Sequence, residues 1–335
     1  MQWYYGFDFG ADTVRMVTAL TDEIRVEAAW AAFRRDADAP FAWGDRAYSY
    51  LGRQSAGITL RQAMRAGIPT DPKLLGKWMS RLVLSDEKRV LARRRALALV
   101  SPSISEGMGE TLMSAALDAG MDVMGIAASD TAAALGCGLD VMGPEGCFLL
   151  DIGAEHMSFS AMAGGRRVLS RRIGYGMARA DEAIREAVRQ KEGVVVSERV
   201  ARILKHAAFQ DADRELTLPV FDPVSRLPKY MLLKPALAQD SLNEVVAGML
   251  EMCFGAVNAL TPSLAEDLEK NGLTLTGGGS LLGGLAECLQ SALGVPVKAA
   301  DDPQEAAARG LKMILDDSEL YSPLINDWRE AGLRL

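Results

Sequence analysis

Histidine is scarce here, with His156 and His206 the two in 335 positions, so a zinc centre built on imidazole ligands is not expected. The four cysteines, Cys137, Cys147, Cys253 and Cys288, stand too far apart for a Cys-x-x-Cys pair. They suit a reduced compartment and not a disulfide framework. No apolar run is long enough to span a bilayer. Met1-Gln2-Trp3-Tyr4-Tyr5 has no basic segment leading into an apolar core, so no secretory signal is expected. A formal net charge of −7 argues against general nucleic-acid binding. The cluster Arg89, Arg93, Arg94 and Arg95 is a local exception and reads as solvated surface.

What the chain does have is length and apolar content. With 335 residues and 49% hydrophobic composition, it can bury a large core and divide into two domains. Two segments repeat a pattern. Gly6-Phe7-Asp8-Phe9-Gly10 and Leu149-Leu150-Asp151-Ile152-Gly153 each place an aspartate two residues before a glycine at the end of an apolar strand. A third segment, Leu275-Thr276-Gly277-Gly278-Gly279-Ser280, runs a strand into three glycines. A glycine turn lets backbone N–H groups approach phosphates. An aspartate ending each strand can hold a hydrated Mg²⁺. The three together suggest a duplicated fold closing on a nucleotide, with Asp8 and Asp151 clasping the phosphates.

The remaining periodicities are consistent with that plan. Residues 3–20 read as strand, turn at Gly10-Ala11-Asp12, strand. Leu74, Leu75, Trp78, Met79 and Leu82 have helical spacing. Ala96–Val100 reads as a buried strand, a helix follows over 105–119, and 127–138 is a helix of small residues suited to close packing. The pattern restarts at Cys147, with strands over 147–151, 157–162 and 167–173, helices over 179–190 and 197–208, and a β excursion over 211–234. A helix over 239–259, another opened by Thr261-Pro262, and then strand, helix (281–293), strand and helix (304–315) complete the second half. The tail from Ser318 carries Tyr321, Leu324, Ile325 and Trp328 and is expected to dock. Strands followed by helices, twice over, give an α/β duplication.

These residues resemble the actin superfamily and, within it, the MreB family of bacterial cell-shape proteins. Gly6–Arg15 is similar to the first phosphate loop, Asp151-Ile152-Gly153 to the second, and Ala132–Leu139 to the first connecting helix. The stretches Thr261–Asp267, Gly272–Gly279, Gly294–Val297 and Asp302–Gly310 follow in family order. The resemblance implies an actin-like fold of two duplicated ribonuclease-H-like domains flanking a nucleotide cleft. Domain I would cover 1–142, completed by 315–335, and domain II would cover 143–314. It implies ATP and Mg²⁺ as ligands, with Asp8, Gly10, Ala11, Asp12 and Thr13 in the first loop and Asp151, Gly153, Ala154 and Glu155 in the second. Arg202, Lys205, Gly277, Gly278 and Gly279 would line the adenosine side, and Asp8 and Asp151 would hold Mg²⁺ through water. It further implies head-to-tail filaments in the cytoplasm, at the inner face of the membrane, with cell-wall elongation proteins and the membrane surface as partners.

The chain departs from the family at chemically telling places. Ala11 replaces a hydroxyl residue, and Asp12 and Glu155 bring negative charge beside the phosphates, which weakens anion binding unless a cation offsets it. Ala154 and Glu155 put Cβ atoms where glycines usually stand. The family's water-orienting glutamate falls at Ser129, next to Asp130. Serine is too weak a base for that role, and the pair also fits a helix N-cap. Hydrolysis is therefore an open question, and a catalytically impaired scaffold that assembles with a full MreB stands beside the active filament as an alternative. A chaperone-like or sugar-kinase-like ATPase would need substrate domains for which the chain is too short. The family's N-terminal amphipathic helix is not seen. A stripe of Trp78, Met79, Leu82, Val83 and Leu84 beside Arg81, Lys88 and Arg89 could instead form an interfacial membrane patch, against the simpler reading that it is core.

Overall fold

A computed structural model describes residues 3–52, 57–65, 68–84, 95–101, 106–121 and 123–327. Lys88, Arg89, Arg93, Arg94 and Trp328 lie outside those residues. The chain divides into two compact units, one of Met1–Pro144, Met162–Arg167 and Gln304–Leu335, the other of Glu145–Ala161 and Val168–Pro303.

The first unit opens with β1 (Tyr5–Phe9), β2 (Thr13–Thr18) and β3 (Thr21–Ala28), a meander in which Asp8 stands opposite Arg15 and Phe9 opposite Val14. Strands β4 (Ala31–Arg34), β5 (Ala42–Trp43) and β6 (Ile58–Arg61) form a small second sheet, with α1 (Gly44–Tyr48) between the last two. The short pair β7 (Met64–Arg65) and β8 (Ile68–Pro69) leads into α2 (Pro72–Leu84). Then β9 (Arg95–Val100) joins β1 in parallel, and β10 (Val123–Ala128) joins β9 in parallel across α3 (Glu106–Asp118). Helix α4 (Ser129–Gly136) follows directly.

Alternation decides which face is core. Tyr5, Phe7 and Phe9 point one way along β1 and are buried in one cluster with Val14, Met16 and the α2 residues Leu74, Leu75, Trp78, Met79, Leu82 and Val83. Trp78 and Met79 have no exposed surface. The proposed interfacial patch on α2 is therefore overturned: Trp78, Met79, Leu82 and Val83 belong to the unit's core, where full burial of each large side chain is worth about 1.5–3 kcal/mol. No helix among the described residues is long and apolar enough to cross a membrane.

The second unit repeats the theme. Its sheet runs β13 (Arg166–Ile173), β12 (Met157–Ala163), β11 (Cys147–Ile152), β16 (Leu273–Thr276) and β17 (Val297–Ala299), with the last two pairings parallel. Between β13 and β16 come α5 (Met177–Glu192), α6 (Glu198–Gln210), the hairpin β14 (Leu216–Asp222) and β15 (Leu227–Leu233), α7 (Gln239–Val257) and α8 (Pro262–Asn271). The Ser197 hydroxyl accepts from the Val200 N–H at the start of α6, and Pro262 occupies the first turn of α8, where its missing N–H costs nothing. Phe148, Leu150, Ile152 and Phe159 pack with Ile184, Leu204, Met249 and Cys253. The single helix expected over 281–293 is instead a 3₁₀ turn, Gly278–Leu281, and then α9 (Leu285–Leu293). Gly284 separates them with φ of +81°, a left-handed conformation that a continuous helix cannot contain.

The chain ends in the first unit. Helix α10 (Ala306–Asp316), which the sequence reading assigned to the second domain, packs there against α4. The contact is reciprocal: a Cβ on Gly136 would collide with the Ala306 carbonyl, and one on Gly310 with the Ala132 carbonyl. This is the backbone-to-backbone approach that the small residues of α4 predict. The tail docks as expected, with Leu324 buried and β18 (Ile325–Asp327) antiparallel to β10.

Candidate functional site

Two turns carry the repeated motif, and they are built alike. After β1, the Gly10 N–H donates to the Thr13 carbonyl at 3.0 Å; after β11, the Gly153 N–H donates to the His156 carbonyl at 3.0 Å. In both, a Cβ on the glycine would lie 2.9 Å from that same carbonyl oxygen. Glycine is required at both places for one reason, and positions 8, 10 and 13 recur as 151, 153 and 156. The internal duplication is thus visible in hydrogen bonds as well as in sequence.

In the first unit the turn is held from outside. Gln62 Nε2 donates to the Ala11 carbonyl at 2.6 Å, and the Ala29 N–H to the Asp12 carbonyl at 2.9 Å. Asp12 is exposed, while Ala11 and Thr13 are half-buried. Asp8 is not an isolated carboxylate: Arg15 Nη1 lies 3.5 Å from its Oδ2 across the strand pair. Arg15 was missed in the sequence reading although the signal was there. A turn at Gly10-Ala11-Asp12 that pairs Phe9 with Val14 must pair Asp8 with Arg15.

Ser129 and Asp130 open α4, but the N-cap is Ala128 and no side chain caps it, so the N-cap reading of that pair is overturned. Asp130 is 2% exposed and takes Arg167 Nη1 at 3.3 Å, with Thr131 N–H donating to its Oδ1 at 2.8 Å. A carboxylate so engaged is poorly placed to activate water. Ser129, half-buried beside it, brings only a hydroxyl.

In the second unit several candidate residues come together. The first N–H groups of α5 close on the turn: Met177 donates to the Gly153 carbonyl at 3.0 Å and Ala178 to the Ala154 carbonyl at 2.8 Å. Gly277, with φ of +79°, stands so close to β11 that a Cβ would lie 2.5 Å from Asp151 Oδ1. Gly279 packs against Ile152 and Met177, which leaves no room for a side chain. The Pro303 carbonyl anchors this turn, accepting from the Thr276 hydroxyl at 2.9 Å and the Gly277 N–H at 3.1 Å. Gly278 between them is exposed. Asp151 therefore sits beside the triple-glycine turn, the second loop and the start of α5.

Charge around Asp151 is also compensated. His156 Nε2 is 3.9 Å from its Oδ2. Burial holds the Arg172 guanidinium below its ordinary range, and the Asp151 charge opposes that shift. Ala154 and Glu155 are half-buried in the turn. Arg202 and Lys205 both converge on the buried Asp181 of α5. Lys205 Nζ lies 2.7 Å from its Oδ1 and Arg202 Nε 3.5 Å from its Oδ2, with a further Arg202–Glu198 contact at 2.6 Å. Burial and then the Lys205 charge push the His206 imidazole below its ordinary value of 6.5. Asp8 and Asp151 each already face a cation or an imidazole, and no group of three or more His, Cys, Asp or Glu that could hold a metal occurs among the described residues. One or two carboxylates beside a nucleotide's own phosphates are the usual protein donors to a hydrated Mg²⁺, and Asp8 and Asp151 are the residues that would hold it through water.

With this geometry in place, comparison with solved structures defines the class. MreB 5 of Spiroplasma citri bound to AMPPNP matches with a TM-score of 0.87 at 20% identity, covering 96% of this chain and 98% of that one. The MamK double helical filament matches with a TM-score of 0.77 at 14% identity, covering 94% and 98%. The fold is actin-like. The sequence profile of the MreB/Mbl protein family matches residues 3–322, and the chain belongs to that family. Among curated relatives, the cell shape-determining protein MreB of Escherichia coli K12 is 28% identical over 292 residues, 84% of each chain. The cell shape-determining protein Mbl of Bacillus subtilis 168 is 24% identical over 319 residues, 94% of this chain and 96% of its own.

Proposed function

We propose that this chain is a nucleotide-binding, self-assembling filament protein that takes part in cell-shape determination. The observation that carries the proposal is the convergence, in the second unit, of Asp151, the Gly153–His156 turn and the Gly277–Gly279 turn, with the Gly10–Thr13 turn as its duplicate in the first. Backbone held close by glycine, where no Cβ fits, is what a phosphate or a ribose needs in order to approach a main chain. The solved relative with AMPPNP bound supports a nucleoside triphosphate as the ligand, and the filament of MamK supports self-assembly. The names of the MreB and Mbl relatives support the cell-shape role. ATP is the expected nucleotide, and organisation of cell-wall synthesis at the inner membrane surface is the expected cellular task. Hydrolysis is not part of the proposal, because Asp130 is engaged by Arg167.

Calorimetric titration of ATP into the purified chain tests this reading. Binding in the micromolar range is expected, weakened at least tenfold by Gly277→Val, whose side chain would press on Asp151 and the Ile152 carbonyl. Absence of binding up to millimolar ATP would remove the nucleotide from the account.

A further inference from the structure

We propose that Tyr175 is a positioning residue of the second turn. Its seat on α7 fixes Gly176 against the Gly153 and Ala154 carbonyls, and so sets how well that turn receives a nucleotide. The proposal rests on the nucleotide reading above and adds to it a residue that acts through the backbone, not by touching the ligand.

The main chain behind the second turn is the stretch Gly174-Tyr175-Gly176. Gly176 is the N-cap of α5. A Cβ there would lie 2.3 Å from the Gly153 carbonyl oxygen and 2.8 Å from that of Ala154. Backbone therefore rests directly on backbone, and the Met177 and Ala178 N–H groups that hold those two carbonyls follow at once. Two glycines cannot keep such a stretch in place, since they have no side chain to pack and the widest conformational freedom. Tyr175 is the one side chain between them.

That side chain is seated on α7. It is half-buried and packs against the unit's core. A Cβ on Gly248 would lie 1.9 Å from the Tyr175 hydroxyl oxygen, so the hydroxyl fills the space that any other residue at 248 would need. Glycine inside a helix is less stable than alanine, and α7 carries one at the point where the hydroxyl lies. Over the ring, the Arg179 guanidinium stands 4.7 Å from the centroid, within cation–π range. Arg179 Nη2 in turn meets Glu244 Oε1 at 2.6 Å. Glu244 stands four residues before Gly248 and so on the same face of α7. This exposed ion pair is weak alone, but it closes α5 and α7 around the ring. The Arg179 N–H also donates to the Gly176 carbonyl at 3.1 Å.

A shift of the ring is thus a shift of Gly176, and with it of the two N–H groups that hold the turn. Close-packed interiors pass such a displacement on, because there is no void to absorb it.

The test exchanges space between Tyr175 and Gly248, reading the affinity for a fluorescent ATP analogue and the melting curve of each full-length variant. Gly248→Ala puts a methyl group against the hydroxyl and is expected to weaken binding about tenfold in a folded chain. Tyr175→Phe keeps the ring and is expected to bind within about threefold of the unmodified chain. In the combined variant the new Cβ lies 3.2 Å from the ring carbon that bore the hydroxyl, so the methyl group fits. Tyr175→Phe with Gly248→Ala is therefore expected to recover binding to within about threefold. Tyr175→Ala removes the anchor without a clash and is expected to weaken binding about tenfold while the chain stays folded. A purely structural role would move melting temperatures and leave the affinity of the folded variants alone. Folded Tyr175→Ala that binds as tightly as the unmodified chain overturns the proposal, and so does a combined variant that binds no better than Gly248→Ala. No binding by the unmodified chain removes the nucleotide reading, and the proposal with it.

Discussion

Lys205 is expected to be a structural residue as well as, or instead of, a ligand-contacting one, because its ammonium is held in a buried ion pair. Its ammonium meets the Asp181 carboxylate at 2.7 Å, off the line of a good hydrogen bond at Oδ1, and both side chains are within 7% of full burial. Removing one member of a buried ion pair leaves the other charge desolvated, at a cost of about 3–5 kcal/mol. Arg202, 3.5 Å from the same carboxylate and 36% exposed, retains part of the compensation, so Lys205→Met should fall at the low end, about 3 kcal/mol. For a unit of this size that lowers the melting temperature by roughly 6–12 °C. Asp181→Leu alone leaves two cations facing an apolar side chain and should cost more. The double variant Asp181→Leu with Lys205→Met should recover most of the loss, because a well-packed apolar pair commonly replaces a buried ion pair at little cost. Thermal unfolding followed by circular dichroism reads all three, and ATP affinity measured well below the melting temperature completes the set. A Lys205→Met chain that melts like the unmodified one refutes the reasoning. A stable double variant with a tenfold loss of ATP affinity would give Lys205 a second role at the nucleotide.

Gly310→Ala should destabilise the first unit by about 1–2 kcal/mol in denaturant titration, since overpacking outweighs the helix-propensity gain of near 1 kcal/mol; the new Cβ would meet the Ala132 carbonyl carbon at 2.5 Å, and backbone cannot rotate away as a side chain can. Cys253 is fully buried and its thiol is pushed up to about 12 by that burial, so at mildly alkaline pH a disulfide reagent should label the exposed Cys288 and leave Cys253 untouched until the chain unfolds. The β14–β15 hairpin and its turn show Val224 (91% exposed), Tyr230 (75%) and Leu227 (63%) to water. Changing these three to serine should leave the melting temperature nearly unaltered but raise the critical concentration for pelleting about tenfold or more if copies bury that hairpin. Unchanged pelleting would place the assembly surface elsewhere.

Much of the architecture was legible because it follows from local rules. The aspartate–glycine spacing at Asp8 and Asp151 announced two copies of one turn, and the structure repeats even the hydrogen bond across each glycine. The alanines of α4 announced a close helix contact, realised by Gly310 and Ala306. What local rules could not decide was partner choice. The stripe on α2 has the same spacing whether it meets lipid or a sheet, and only tertiary packing against Phe7 and Phe9 shows that it is core. The ion pairs of Lys205 and Arg202 were not legible, because Asp181, their acceptor, lies on another helix. The Arg167–Asp130 contact was hidden in the same way, since its two members lie on separate elements. The helix expected from 281 broke because two glycines, one of them left-handed, fall inside an otherwise apolar pattern.

Nucleotide-dependent assembly tests the central claim most directly. Light scattering and electron microscopy of the purified chain with ATP, with ADP and without nucleotide are expected to show filaments that form at the lowest protein concentration with ATP and are weakened when Asp151→Ala disrupts the second turn. Filaments that form equally well under all three conditions, and equally well with Asp151→Ala, would contradict the account.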